Sequence, residues 1–433
     1  MSSKIRTLQA REILDSRGDP TVEVHIVLEN GVRTKASVPS GATTGTYEAL
    51  ELRDGDSRRF KGLGVLKAVQ NVNTKLSKLL KGIEATNQEV IDRMMIELDG
   101  TPNKSKIGAN ATLGVSLACA RAAALSEGKP LYWYFQDHFH LPVSSFNLPI
   151  PMLNIFNGGK HADTNLDIQE IMIVPCGLKE GLSGRSSRSF AEMMRISWDV
   201  FRWLGLVLLE RGYDTDVGIE GGYAPDIQST MEALDMIVEA IKKAGYRPGD
   251  DISIALDIGA PSIYNPSKKE YVFKLDHSFL NSAALIQLYE MWTEKYPILS
   301  IEDGLDENDW EGWKKLSKEA SERWSPHPYI VADDLFATNS ERMIRGINEK
   351  AANAVIIKPN QVGTVSETID TIKLAHQNKY AVVMCHRSGE TNDDFIADFA
   401  VGAGAQFIKA GSINRGERVA KYNRLLEIEE EIK

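Results

Sequence analysis

Cysteine is scarce: Cys119, Cys176 and Cys385 are the only three, an odd number without regular spacing. That excludes a disulfide framework and favours a reducing compartment. Positive charge is not in excess either. Fifty Lys and Arg against 60 Asp and Glu give a formal net charge of −10, which argues against a nucleic-acid partner. A small anionic substrate stays open, because a local group of cations can oppose the overall sign. No stretch reaches the ~18 apolar residues of a membrane-spanning helix, and the opening MSSKIRTLQAREILDSRG has no apolar core of signal-peptide length. A soluble, cytoplasmic protein is expected. Low-complexity tracts are absent, and 42% hydrophobic with 25% charged residues is a globular composition. At 433 residues the chain suits one large domain and a smaller one.

What the chain does have is a repeat between Ser253 and Gly411, where six short apolar runs each stop at an ionisable residue. SIAL stops at Asp257, ILSI at Glu302, YIVA at Asp333, AVII at Lys358, AVVMC at His386 and QFI at Lys409. The intervals, by subtraction, are 45, 31, 25, 28 and 23 residues, about one strand plus one returning helix. Apolar runs without polar alternation suit strands buried on both faces. The period predicts a (β/α) barrel, whose chemistry sits where the strands end.

Upstream, TVEVHIVLE and VRTKASV flank Glu29-Asn30-Gly31 as a hairpin, and residues 65 to 128 have helical spacing that closes at Gly128. Between them, VPSGATTGTYEALELRDGD is small and glycine-rich; it reads as a surface linker or as a loop that admits a ligand to its backbone. Two strands and several helices predict an N-terminal α+β domain. A Pro-rich stretch, Pro142 to Pro151, places the boundary between residues 1–141 and 142–433. The expected class is α/β, a barrel carrying that N-terminal domain.

Asp257, Glu302 and Asp333 at successive strand ends would repel one another unless a cation joins them or each meets a nearby Lys or Arg. Oxygen donors without His or Cys suit Mg²⁺. Lys358 and Lys409, buried beside a dication, would have lowered proton affinity, and either is then a candidate base; salt-bridging to the same acids is the alternative. His386-Arg387-Ser388-Gly389 suits a phosphate or carboxylate clamp. Glu170 and Glu220 are candidate acids if they reach the barrel mouth. A base facing a Mg²⁺ site, with an acid opposite, suits proton abstraction beside a carboxylate followed by elimination or reprotonation.

In REILDSRG, VPSGA, ELRDGD, GVLKAVQNVN, NKSKIGANA, SIEDGL, KPNQVGT, HRSGET and RVAKYNRLLEIEEE the chain resembles the enolase family along nearly its whole length. The resemblance implies a barrel with irregular ββαα first units and reversible dehydration of 2-phosphoglycerate to phosphoenolpyruvate. It also implies two Mg²⁺ per site, the second arriving with substrate. By position, it makes Asp257, Glu302 and Asp333 ligands of the first ion, Lys358 the base at C2, and Glu220 the acid at the C3 hydroxyl with Glu170 beside it. Gln169, His161 and His386 line the substrate, Lys409 meets its carboxylate side, Arg387 and Ser388 bind phosphate, and the loop holding Thr43 closes over the site. A homodimer, or an octamer of dimers, is implied. Three positions depart from the family pattern: Ile219 stands for Asp, Thr43 for Ser and Cys385 for Ser. Loss of a carboxylate at 219 leaves Glu220 more readily ionised and a poorer acid. A catalytically silent relative kept for binding, or another acid-sugar dehydratase or racemase of the superfamily, are the competing readings.

Overall fold

The computed structural model describes residues 2–41, 45–142 and 146–433; Thr43 lies outside them. The N-terminal sheet is antiparallel, formed by β1 (Ile5–Leu14), β2 (Pro20–Leu28) and β3 (Arg33–Ser37) in that order. Two strands were expected; β1 is the third. Its register shifts between Ile5 and Thr7, and that irregularity interrupts the alternation by which a half-buried strand is recognised. The Ala-rich helix Ala109–Glu127 lies on this sheet almost wholly buried, since small side chains allow close approach. It ends, as its sequence predicts, at Gly128 in the left-handed region.

The rest is a closed eight-stranded barrel. Its strands are β4 (Ile150–Asn157), β5 (Glu170–Val174) and β6 (Ser253–Asp257), then five more after a small side sheet of β7 (Tyr264–Asn265), β8 (Glu270–Phe273) and β9 (Ser278–Leu280). The remaining five are β10 (Ile298–Glu302), β11 (Tyr329–Ala332), β12 (Ala354–Ile357), β13 (Ala381–Cys385) and β14 (Phe407–Lys409). All six apolar runs singled out in the sequence are therefore barrel strands. Every residue of β5, β6, β10, β12, β13 and β14 is buried, which is why the runs lack polar alternation.

One strand runs backwards. β5 is antiparallel to both β4 and β6, and the helices Phe190–Glu210 and Thr230–Lys243 follow it before β6. Reversal puts the first residue of β5, not its last, at the mouth where the other strands finish: Glu170 pairs with Asp257. The helices are started by side-chain caps, with Ser189, Ser229, Asn281, Asp309, Asn339 and Thr364 each accepting from a first-turn N–H.

The N-terminal domain packs on that mouth. Ser40 and Gly389 exchange backbone bonds at 2.7 and 2.9 Å, and Thr112 Oγ1 donates to the Gly363 carbonyl at 2.9 Å. Farther out, Asp92 is fully buried and accepts from Ser366 N and Oγ at 2.9 and 2.7 Å, joining helix Gln88–Asp99 to the start of barrel helix Val365–Gln377. Burial outweighs these bonds and pushes the Asp92 carboxyl up to about 6. A raised carboxyl favours the protonated fold, so its stabilising effect is complete at low pH and is lost as pH rises through about 6.

Asp92→Asn should therefore raise the melting temperature at neutral pH and give a shrinking benefit as pH falls. The rise from the ordinary aspartate range to about 6 caps the gain near ~3 kcal/mol. Gln88 Oε1, buried without a partner beside Asp92, is an acceptor for the new amide once the Gln88 amide rotates. Thermal melts of both proteins across pH check this; a variant equally destabilised at every pH would refute it.

Candidate active site

The barrel mouth encloses a cavity of about 60 Å³ lined by Gln169, Glu170, Glu220, Asp257, Asp333, Lys358, His386, Arg387, Ser388 and Lys409, with His161 at its rim. Glu302 lies just beneath, joined to it through Lys409. Every expected site residue that the structure describes is thus at one mouth. Sequence reasoning missed Glu48, Asp303 and Asp334, which line the same cavity. Glu48 comes from the N-terminal domain, and no local pattern marks it. Asp303 and Asp334 directly follow Glu302 and Asp333, so adjacency to the strand-end acids was the available signal.

The two lysines hold the acids together. Lys409 Nζ donates to Asp257 Oδ2 at 2.7 Å and to Glu302 at 3.0 and 3.1 Å, and lies 3.2 Å from Glu170 Oε1. Lys358 Nζ donates to Asp333 Oδ2, whose Oδ1 accepts from Gln361 at 3.0 Å. The acids around each lysine set its proton affinity. Burial alone would lower them, but the carboxylate of Asp333 holds Lys358, and those of Asp257, Glu170 and Glu302 hold Lys409, above the ordinary lysine range.

Across the cavity, His161 Nδ1 stands 3.3 Å from both Glu170 Oε1 and Glu220 Oε2. Burial opposes its charge, yet Glu220 and Glu170 push His161 up to about 10. The two glutamates are driven apart. Burial and the neighbouring Glu220 charge lift Glu170 to about 7, and its Oε2 is buried without a hydrogen-bond partner. Glu220 is also buried, but the positive charges of His161 and Arg418 hold it well below the usual carboxylate range, and Asn154 Nδ2 donates to it at 3.2 Å. The mouth therefore pairs a Glu170 that titrates near neutral pH with an ionised Glu220. Beside them, Gln169 is packed over Gly259, where a Cβ would come within 2.0 Å of its amide nitrogen and φ is +58°. Only glycine lets the amide lie there.

On the anion-binding side, Arg387 is buried and its guanidinium meets Glu48 at 2.8 Å and Asn360 Oδ1 at 3.1 Å. An incoming anion must compete with Glu48. Cys385 also lines the cavity; its buried thiol is pushed well above its usual range and donates to the His386 carbonyl. It is an inert group here. Ile219 is half-buried on the wall of an adjoining 360 Å³ cavity that shares His161.

The residues fit a hard divalent cation. Carboxylates outnumber the cations at the mouth, and Asp303, Asp333 and Asp334 present oxygens within 4.8 Å of one another without nitrogen or sulfur donors. Burial and mutual repulsion push Asp334 up to about 7 and Asp303 well above its usual range. Of the expected trio, Asp257 and Glu302 share Lys409, and Asp333 is bonded to Lys358 and also belongs to that group of three.

Two family models match the chain. Residues 5–135 match one described as enolase, N-terminal domain, and residues 145–433 match one described as enolase, C-terminal TIM barrel domain.

Removing the ammonium of Lys409 leaves Asp257, Glu302 and Glu170 buried without it, and breaking such a pair costs about 3–5 kcal/mol. Lys409→Met should melt markedly lower than the parent in chelator and recover more than the parent when Mg²⁺ is added. Equal Mg²⁺ responses in thermal melts would refute this account of how the acids are held.

Proposed function

The chain belongs to the enolase family, and from that premise we propose that it is a hydro-lyase, a phosphopyruvate hydratase that interconverts 2-phosphoglycerate and phosphoenolpyruvate. The observation that carries this reading is the opposition, in one cavity, of Lys358 on one side and the Glu170–His161–Glu220 group on the other. Between them a three-carbon acid has a base at C2 and proton donors at C3.

In this reading Asp257, Glu302 and Asp333 hold the first of two Mg²⁺ ions. When bound, these supply positive charge against the extra negative charge of the deprotonated substrate carboxylate. Lys358 removes the C2 proton. To do so it must first be neutral, and its bond to Asp333 opposes that; the assignment of Asp333 to the metal and of Lys358 to the base stand or fall together. Glu220 assists departure of the C3 hydroxyl. Being ionised at rest, it must be loaded with a proton before it acts, and Glu170, which titrates near neutral pH in the same cavity, is the neighbouring carboxyl. Lys409 faces the substrate carboxylate, Gln169 and His386 line the substrate, and Arg387 and Ser388 take the phosphate once Glu48 is displaced. Phosphate can reach Arg387 only as Glu48 gives way. Closure by the loop holding Thr43 belongs to the same proposal.

The division at 141/142 into a capping domain and a catalytic barrel, assembly as a homodimer or octamer of dimers, and a cytoplasmic place in glycolysis follow from the same premise. Among the described residues no helix is long and apolar enough to cross a membrane.

The test is formation of phosphoenolpyruvate from 2-phosphoglycerate, followed by ultraviolet absorbance with Mg²⁺ and with chelator. Activity that vanishes with chelator supports the proposal, whereas none at any Mg²⁺ level favours the silent relative that Ile219 suggests. Lys358→Ala should abolish exchange of the C2 proton with solvent while Mg²⁺ binding persists; exchange at the parental rate would remove Lys358 from the base role. Ile219→Asp should raise kcat, because a carboxylate beside Glu220 makes that group easier to protonate. An unchanged or lower kcat would show a site adapted to isoleucine.

A further inference from the structure

Arg418 sits in the C-terminal helix Gly416–Glu431, outside the expected site residues, and it is completely buried. Its guanidinium donates to His386 Nδ1 at 2.5 Å, to the Arg387 and Ser388 carbonyls at 2.7 Å each, and to the Ile219 carbonyl at 3.2 Å. Its carboxylate neighbour, Glu417, stands 3.4 Å from Nε. A buried guanidinium set mainly against neutral acceptors is a poor device for stability, since desolvation offsets much of what such contacts return. The backbone makes room for it nonetheless. Gly411 has φ +83°, and a Cβ there would come within 2.7 Å of Arg418 Cδ.

We infer that Arg418 is the positioning residue of this site: it fixes the tautomer of His386 and holds the 386–388 turn in register with the loop bearing Ile219 and Glu220. The chemistry of the donors carries the first half. Guanidinium has only donors and keeps its proton, so the nitrogen it meets must be an acceptor. His386 is therefore neutral, with bare Nδ1 and its hydrogen on Nε2, the nitrogen that faces Glu220 Oε2 at 3.8 Å. One residue outside the mouth thus decides that His386 presents an N–H towards Glu220.

The geometry carries the second half. Three of the four acceptors belong to residues 386, 387 and 388, and the fourth belongs to residue 219, adjacent in sequence to Glu220. With the carbonyls of 387 and 388 turned onto Arg418, their side chains line the cavity. His386 is pinned on the barrel side as well, its N–H donating to the Lys409 carbonyl at 2.9 Å. Arg418 is the common point between the anion-binding turn and the acid-bearing loop, and a fork is needed because a single ammonium cannot reach both imidazole and carbonyls.

This inference rests on the dehydration reading for its kinetic consequence but not for its tautomer, so the experiment has two arms. In ¹⁵N-histidine-labelled parent protein, the His386 ring is expected with its hydrogen on Nε2. A hydrogen on Nδ1, or on both nitrogens, overturns the inference whether or not any variant folds and whether or not the protein turns over 2-phosphoglycerate. In Arg418→Lys the fixed tautomer should be lost, and kcat/KM should fall by about 10–100-fold, mainly through KM, as when an orienting partner is removed. Arg424→Gln is the control on the same helix; it loses the 2.8 Å bond to Asp398 and should lower the melting temperature without altering the His386 signals or KM. Parental tautomer and KM in Arg418→Lys, or equal changes in Arg424→Gln, would reduce Arg418 to a structural residue.

Discussion

Carboxylates gathered at the end of a buried sheet repel one another, and in this protein Lys409 makes the arrangement tolerable. Its ammonium is shared by Asp257, Glu302 and Glu170 from three adjacent strands, β6, β10 and β5. The acids are held close by a charge the protein carries itself. Lys358 does the same for Asp333. In the proposed chemistry these two lysines also face substrate, so one pair of residues both permits the acidic mouth to fold and works within it.

The reversed strand β5 is the second constraint. In a regular barrel every strand end at the mouth is a C-terminal end; antiparallel pairing with β4 and β6 brings a strand beginning there instead, and with it Glu170. Opposite Lys358, the mouth gains a carboxyl that titrates near neutral pH, next to one held ionised. His161 favours the ionised form of both, but burial and the charge of Glu220 outweigh it at Glu170. Paired titratable groups with separated proton affinities are what acid–base chemistry near neutral pH requires.

Parts outside the barrel complete the site. Glu48 reaches from the N-terminal domain to Arg387, and Arg418 reaches from the last helix to the turn that contains it. The anion-binding turn is therefore held from two directions by segments 339 and 31 residues away in sequence. Neither hold leaves a mark in the local pattern, because an isolated Glu or Arg reads as an ordinary surface charge until its burial is known.

The sequence by itself determined the barrel, the apolar runs that form its strands, and the ionisable residues that end six of them, since doubly buried strands must be continuously apolar and the chain must turn polar where they stop. It also marked Gly128 as a helix end, because only a residue free to adopt the left-handed region closes the helix there at no cost. What tertiary structure alone decided is which charges meet. The third N-terminal strand was hidden by a register shift, the protonation of Glu170 and Glu220 depends on His161 from another segment, and the lysines' affinity for protons is raised by acids up to 239 residues away. Electrostatic energy depends on distance and burial in space, and neither quantity is written in the order of residues.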